Sequence, residues 1–210
     1  MGEMTERDGR ALHTAHGEAQ RQALVRAAYQ IIAESGFEGL RTRDVAERVG
    51  VNIATLHYYF ATKEDLIRGV VELLTQEFAT FRAPDQPPLE ELSPREGLRT
   101  ELEDVRYQVK ARPDTYIVLL ELYMRSFRDP QIKQMLGELD THWREHLESL
   151  LVAGVRAGEF PPELDIHATS AVLMTFSKGM SMQLLSDPDS VPITSVYDEI
   201  ARLTTGHVTP

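Results

Sequence analysis

The chain has no cysteine, which removes disulfides, zinc fingers and other thiolate metal sites, and cysteine nucleophiles, and makes a reducing cytoplasm the expected compartment. No apolar run approaches the roughly 20 residues needed to span a bilayer, and Met1 to Gln20 is polar with no signal-peptide core. A soluble protein without a membrane partner is expected. Positive charge is also scarce: 22 Lys and Arg stand against 33 Asp and Glu, for a formal net charge of -11. On its face this opposes nucleic-acid binding, because phosphates are met mainly by Lys and Arg. The deficit is unevenly spread. Residues 18–68 hold 7 basic and 7 acidic residues, whereas 69–210 hold 13 and 23. An acidic body on a neutral head would be repelled by DNA everywhere except through that head.

No stretch alternates over strand length, while apolar residues recur at three- and four-residue spacing almost throughout. An all-α fold of roughly nine helices follows, with no sheet. Residues 1–17 lack periodicity and are expected to form a flexible tail, where His13 and His16 are read as solvated side chains rather than a metal pair. A first helix is expected from about Glu18 to Ser35, with Leu24, Ala27, Ala28, Ile31 and Ile32 inward and Gly36 as its stop. Phe37 and Leu40 seal the corner. Thr42 reads as the N-cap of a short helix ending at Gly50, and Asn52 as the cap of another, Ile53 to Tyr59, with Leu56 and Phe60 on its inner face. Two short helices across a tight glycine turn make a helix-turn-helix.

Thr62 and Asp65 then read as a capping box opening a long connector lined by Leu66, Val70, Leu73, Phe78 and Phe81. Pro84, Pro87 and Pro88 break it, and Ser93-Pro94-Arg95-Glu96 restarts a helix with cap, N1 proline and N3 glutamate in register. Further breaks fall at Arg112-Pro113-Asp114, Asp129-Pro130, Gly158 with Pro161-Pro162, Asp187-Pro188 and Pro192. The domain reading is a tail at 1–17, a head at 18–68 and a helical body at 69–210.

The run from Thr42 to Leu66, TRDVAERVGVNIATLHYYFATKEDL, resembles the DNA-binding signature of the TetR family. A helix-turn-helix, an aromatic-rich second helix, a Phe and a Thr-Lys-Glu-Asp-Leu helix start stand in one fixed order. The stretch Lys178 to Pro188 is similar to the end of the eighth helix in many members. The resemblance implies a sequence-specific regulator that binds double-stranded operator DNA as a homodimer, most often a repressor released by a small-molecule effector, with no cofactor and no catalytic residue. Arg41, Thr42 and Arg43 would hold phosphate at a helix N-terminus. Asn52, Ile53, Ala54 and Thr55 would meet base edges in the major groove, Ile53 and Ala54 against thymine methyls. His57, Tyr58 and Lys63 would reach phosphates, and Tyr59 and Phe60 would fill the core. The sequence departs from the common pattern of a small polar residue, Lys and Gly at 52–54, and it reverses the usual Tyr-His order at 57–58, so no operator preference carries over.

For the body, the resemblance implies an effector pocket and a two-fold interface made by the last two helices, from about Asp165 to Ser186 and Thr194 to Thr204. Tyr107, Tyr116, Tyr123, Met124, Phe127, Trp143, Leu147 and Phe176 are the pocket candidates, since aromatic and Met side chains make adaptable walls. Leu173, Gly179, Met180, Leu184, Tyr197 and Ile200 are the interface candidates, each equally at home in a core. Enzyme readings find little: there is no phosphate-cradling glycine loop and no Gly-x-Ser-x-Gly. His142 and His146 stand one helical turn apart, but Trp143 occupies the position where a zinc protease needs Glu. The competing reading is a helical small-molecule- or metal-binding protein, or a hydrolase, whose helix-turn-helix serves protein contact.

Overall fold

The computed structural model describes residues 3–80, 82–84, 86–88 and 91–187 together with 195, 196, 199 and 202, with side chains from residue 16 onward. Eight helices and no strand are found among them: α1 (Glu3–Gly39), α2 (Thr42–Val49), α3 (Ile53–Tyr59), α4 (Lys63–Thr80), α5 (Pro94–Ala111), α6 (Pro113–Ser126), α7 (Pro130–Arg156) and α8 (Ile166–Ser186). The all-α expectation holds. The last expected helix falls largely outside the described residues, as do Phe81, Pro188, Pro192, Tyr197 and Ile200.

Most boundaries follow from local chemistry. Asn52 accepts the Thr55 N–H at 2.8 Å and so caps α3. Thr62 and Asp65 close a reciprocal box, Asp65 N–H donating to Thr62 Oγ1 at 3.1 Å and Thr62 N–H to Asp65 Oδ2 at 3.0 Å. Ser93 and Glu96 do the same ahead of α5, with Pro94 at its first position. Asp129 and Asp165 accept the first free amides of α7 and α8. Each cap satisfies amides that have no partner inside the helix, worth about 1 kcal/mol apiece. Gly50 ends α2 in the left-handed region, φ 75°, and its N–H points back at Ala46 and Glu47 carbonyls.

Two expectations change. α1 starts at Glu3 rather than near Glu18, so the expected tail is helical. Its segment contains no proline, and Ala11, Leu12, Ala15 and Ala19 are strong helix formers, enough to carry the helix through Gly9 and Gly17. Gly36 still breaks the helix, at φ 71° and ψ 175°. Thr42 is the first helical residue of α2 and not its cap. Arg41 takes the cap position with extended backbone and no side-chain bond, its carbonyl accepting the Val45 N–H at 3.1 Å.

The chain packs as two compact units, one made of residues 1–76 with 121–136 and the other of 77–120 with 137–210. In the first, Leu24, Ile32, Leu40, Leu56, Phe60, Leu66, Ile67, Leu74, Leu122 and Ile132 are fully buried, each side chain contributing about 1.5–3 kcal/mol by leaving water. Gly69 of α4 lies so close to Val25 that an added Cβ would sit 2.7 Å from its Cγ2, which lets α4 rest directly on α1. In the second unit, α5 packs on α8, and Leu98, Leu102, Val109, Tyr116, Leu147, Leu151, Phe160, Leu173, Met174, Met180 and Leu184 form the core. Asp104, buried on α5, accepts the Ala83 N–H at 2.8 Å and pairs with Arg82, so the chain beyond α4 is stapled to α5. Burial pushes its carboxyl above the usual range, and the Ala83 and Arg82 contacts oppose that shift.

Candidate nucleic-acid interface

α2 and α3 expose a contiguous set of side chains while their apolar halves face inward. Leu56 and Phe60 of the α3 segment and Val45 and Ala46 of α2 are buried, and Arg41, Arg43, Asn52, Ile53, Ala54, His57 and Tyr58 are exposed. Tyr58 is the extreme case at 83% exposure, its ring edge-on to Tyr59 at 5.1 Å. A short helix carrying Ile, Ala, His and Tyr outward, with Arg41 and Arg43 on the neighbouring helix start, suits a major groove flanked by phosphates. The first-turn amides of α2 around Thr42 have no helical partner and face the same need for an acceptor.

Within this set the side chains differ in readiness. Asn52 Oδ1 takes both the Thr55 N–H and the Thr55 hydroxyl, the latter at 3.1 Å. The Asn52 side-chain oxygen and the Thr55 hydroxyl proton are therefore engaged inside α3, and Ile53, Ala54, His57 and Tyr58 stand outward together with the Asn52 amide group. Arg48, on the outer turn of α2, is committed to a two-pronged pair with Glu34 at 2.9 and 2.7 Å. That pairing holds α2 on α1 and lowers the Glu34 carboxyl.

Lys63 does not extend freely. Its Nζ lies 4.9 Å from the centre of the buried Phe37 ring. Burial lowers the pKa of its ammonium, Glu38 opposes that shift and Arg125 adds to it. Phe37, Glu121 and Arg125 escaped the sequence reading as functional residues. The Phe37 N–H donates to Glu121 Oε2 at 2.9 Å, and Arg125 stacks on the same ring with 5.1 Å to its centre. Glu121 and Arg125 stand one turn apart on α6, and only that spacing hinted that they share a face.

The pocket candidates divide. Tyr116 and Leu147 are buried in the core of the second unit, with Trp143 and Phe176 half-buried against it. Phe78 meets Tyr116 edge-on at 5.5 Å, and the Tyr116 hydroxyl donates to Gln108 Oε1 at 3.2 Å. Tyr107 is half-buried in the same unit, whereas Tyr123 lies in the first. Met124 and Phe127 are also in the first unit and are exposed, Met124 on α6 and Phe127 in the turn that follows it. A narrow cleft lined by Glu77, Phe78, Gln108, Arg112 and Thr115 is too tight to admit water.

The interface candidates need correction. Leu173, Met180 and Leu184 are at most 6% exposed and belong to the core of their own chain. Their spacing puts them on the α8 face that meets α5. The opposite face carries Ala168, Ala171, Val172, Thr175, Gly179, Met182, Gln183 and Ser186, all exposed and none charged. Of the interface candidates among the described residues, only Gly179 lies there. His142 is exposed, and His146 is engaged elsewhere, its Nε2 2.8 Å from Glu101 Oε1. No helix among the described residues is long and apolar enough to cross a membrane.

Comparison with known proteins agrees with this geometry. Residues 24–70 match the family described as "Bacterial regulatory proteins, tetR family", and residues 94–207 match "BetI-type transcriptional repressor, C-terminal". The chain is 26% identical to the HTH-type transcriptional regulator BetI of Rhizobium meliloti, over 86% of each. It is 20% identical to the fatty acid metabolism regulator protein of Bacillus subtilis, over 78% of this chain and 83% of that one. A TetR transcription regulator from Haloarcula marismortui shares the fold, with TM-score 0.75 at 20% identity, covering 89% of this chain and 97% of the other.

Proposed function

The chain belongs to the TetR family of bacterial DNA-binding transcriptional regulators, and from that premise we propose a cytoplasmic, dimeric repressor whose head, residues 18–68, grips a palindromic operator until a small effector enters the helical body, residues 69–210. The enzyme reading falls with the family. The observation that carries the proposal is the outward face of α3, where Ile53, Ala54, His57 and Tyr58 are exposed on a helix held from beneath by Leu56 and Phe60. In this reading Ile53 and Ala54 meet base edges, His57, Tyr58, Arg41, Thr42 and Arg43 meet sugar and phosphate, and Lys63 closes on phosphate as it leaves Phe37. Asn52 and Thr55 contribute chiefly by keeping the first turn of α3 rigid.

Two heads held about 34 to 36 Å apart read two half-sites on one side of the duplex, and one head alone binds too weakly for specificity. The uncharged outer face of α8 is the surface proposed to pair across the two-fold axis. An effector is proposed to lodge in the interior of the second unit, among Tyr116, Trp143, Leu147 and Phe176. The surroundings favour a largely apolar molecule with a hydrogen-bonding group, because Gln108 and Tyr116 already form a polar pair there and the buried Ser177 hydroxyl has no partner among the described residues. α4 has residues 63–76 in the first unit and 77–80 in the second, so it is one covalent route by which an occupied body alters head spacing.

The test is binding of purified protein to labelled DNA from upstream of its own gene, over a salt series and against a compound library. Salt-sensitive, saturable binding to a palindromic segment is expected. Trp143 is the one tryptophan of the chain, so an effector should alter its fluorescence at the concentration that releases the DNA. A protein that ignores every duplex at low ionic strength is not this regulator.

A further inference from the structure

Two cations share one aromatic ring in the first unit. Lys63 Nζ and Arg125 Cζ lie 4.9 and 5.1 Å from the centre of the Phe37 ring. The ring is buried and its backbone N–H is held by Glu121, so it is a fixed platform on which the cations must accommodate each other. Both also face one carboxylate. Arg125 pairs with Glu38 at 3.4 Å, while Glu38 is the strongest charge favouring the protonated form of Lys63. Asp129 is the second partner of Arg125, at 3.7 Å, and Glu64 is a weaker influence on Lys63.

Competition of this kind has a direction. With Arg125 in place, Glu38 is shared between two cations and the ring is already engaged, so Lys63 gains less by staying on the head. With Arg125 withdrawn, ring and carboxylate both become available and hold the lysine there. We infer that Arg125 is a positioning residue for DNA binding, which by occupying Phe37 and Glu38 biases Lys63 toward the duplex. The inference rests on the proposed contact of Lys63 with phosphate. Arg125 belongs to α6, whose residues 113–120 lie in the second unit. A shift of α6 therefore changes the grip on Lys63, by a route separate from α4.

The experiment measures binding of the full chain to a labelled mixed-sequence duplex over a potassium chloride series, since phosphate contacts do not depend on sequence. Four proteins form a double-mutant cycle: the native chain, Lys63→Ala, Arg125→Gln and the pair. In the native background Lys63→Ala should reduce the salt slope by about one ion. Arg125→Gln should weaken binding about tenfold, and in that background Lys63→Ala should change neither affinity nor slope. Adding Glu38→Gln to Arg125→Gln should restore part of both, since the freed Phe37 ring still holds the lysine. An equal cost of Lys63→Ala with and without Arg125 overturns the inference while leaving the phosphate contact standing. An unchanged slope for Lys63→Ala alone overturns the phosphate contact and the inference with it. Should Arg125→Gln fail to fold, Glu38→Gln alone makes the test from the other side. It removes the carboxylate that holds Lys63, so the increment from Lys63→Ala should grow, and an unchanged increment again overturns the proposal.

Discussion

The side-chain carboxylate of Glu121 accepts the backbone N–H of Phe37 at 2.9 Å across 84 residues of sequence. The acceptor sits where the chain has just left α1 through the left-handed backbone of Gly36, and a Cβ added at Gly36 would lie 3.3 Å from the same carboxylate. One glutamate thus satisfies the amide that the break exposes and fills the space that glycine leaves. The corner that aims α2 and α3 is held by α6.

Replacing Glu121 should therefore loosen the head without touching its outward face. Glu121→Ala is expected to cost about 1–3 kcal/mol, the range for stranding a part-buried donor. Glu121→Gln, which keeps an acceptor, should cost less. Urea unfolding of the two variants checks the order, and equal losses would mean that the hydrogen bond is not what matters.

Tyr58 separates binding from folding. At 83% exposure its side chain adds little to packing beyond the edge-on contact with Tyr59, so Tyr58→Ala should leave stability within about 0.5 kcal/mol of the native value. Affinity for duplex DNA should fall severalfold. A variant that binds as tightly as the native chain would remove Tyr58 from the interface.

The two faces of α8 should respond in opposite ways. Met182→Glu and Val172→Glu place charge on the exposed face and are expected to yield folded monomers in sedimentation experiments. Leu173→Ala excavates the core instead and should cost about 2–5 kcal/mol. Dimers that persist in both charge variants would move the two-fold interface away from this helix.

His146 offers a pH test. Its hydrogen bond with Glu101, followed by burial that acts against it, leaves the imidazole pKa raised above the ordinary 6.5. A raised pKa means that the folded state prefers the protonated ring. The stabilisation is complete below the unfolded pKa and disappears as pH climbs through the folded one. The stability gap between native protein and His146→Gln should accordingly be widest in mild acid and close above neutrality. Because the ring is substantially exposed, the gap should also shrink with salt. A gap independent of pH would mean that the pair contributes packing and no charge.

Much of the architecture was legible because it is written locally. Asn52, Thr62 with Asp65, and Ser93 with Glu96 each reach partners three residues away, so type and spacing alone identify those helix starts. Gly36 and Gly50 mark backbone that only glycine adopts cheaply. The outward residues of α3 were found by the same logic, since Leu56 and Phe60 identify its inner face and the remainder must point away. Periodicity could not say which side of α8 turns inward, because the outer face is also uncharged and carries Val172 and Met182. Leu173, Met180 and Leu184 were consequently left open between interface and core, and they lie in the core of their own unit. The reach of α1 back to Glu3 was missed for a related reason, as a segment without an apolar stripe gives no sign of helix beyond its propensities.

By itself, then, the sequence determined most helix starts and stops beyond α1, that the described residues form no sheet, and which side of α3 faces outward, because those outcomes depend on groups within a few residues of one another. Tertiary structure alone decided which face of α8 is core, that Arg48 is spent on Glu34, and that Lys63 and Arg125 meet on Phe37. Those outcomes depend on side chains that packing brings together from distant parts of the chain, and no spacing rule carries that information.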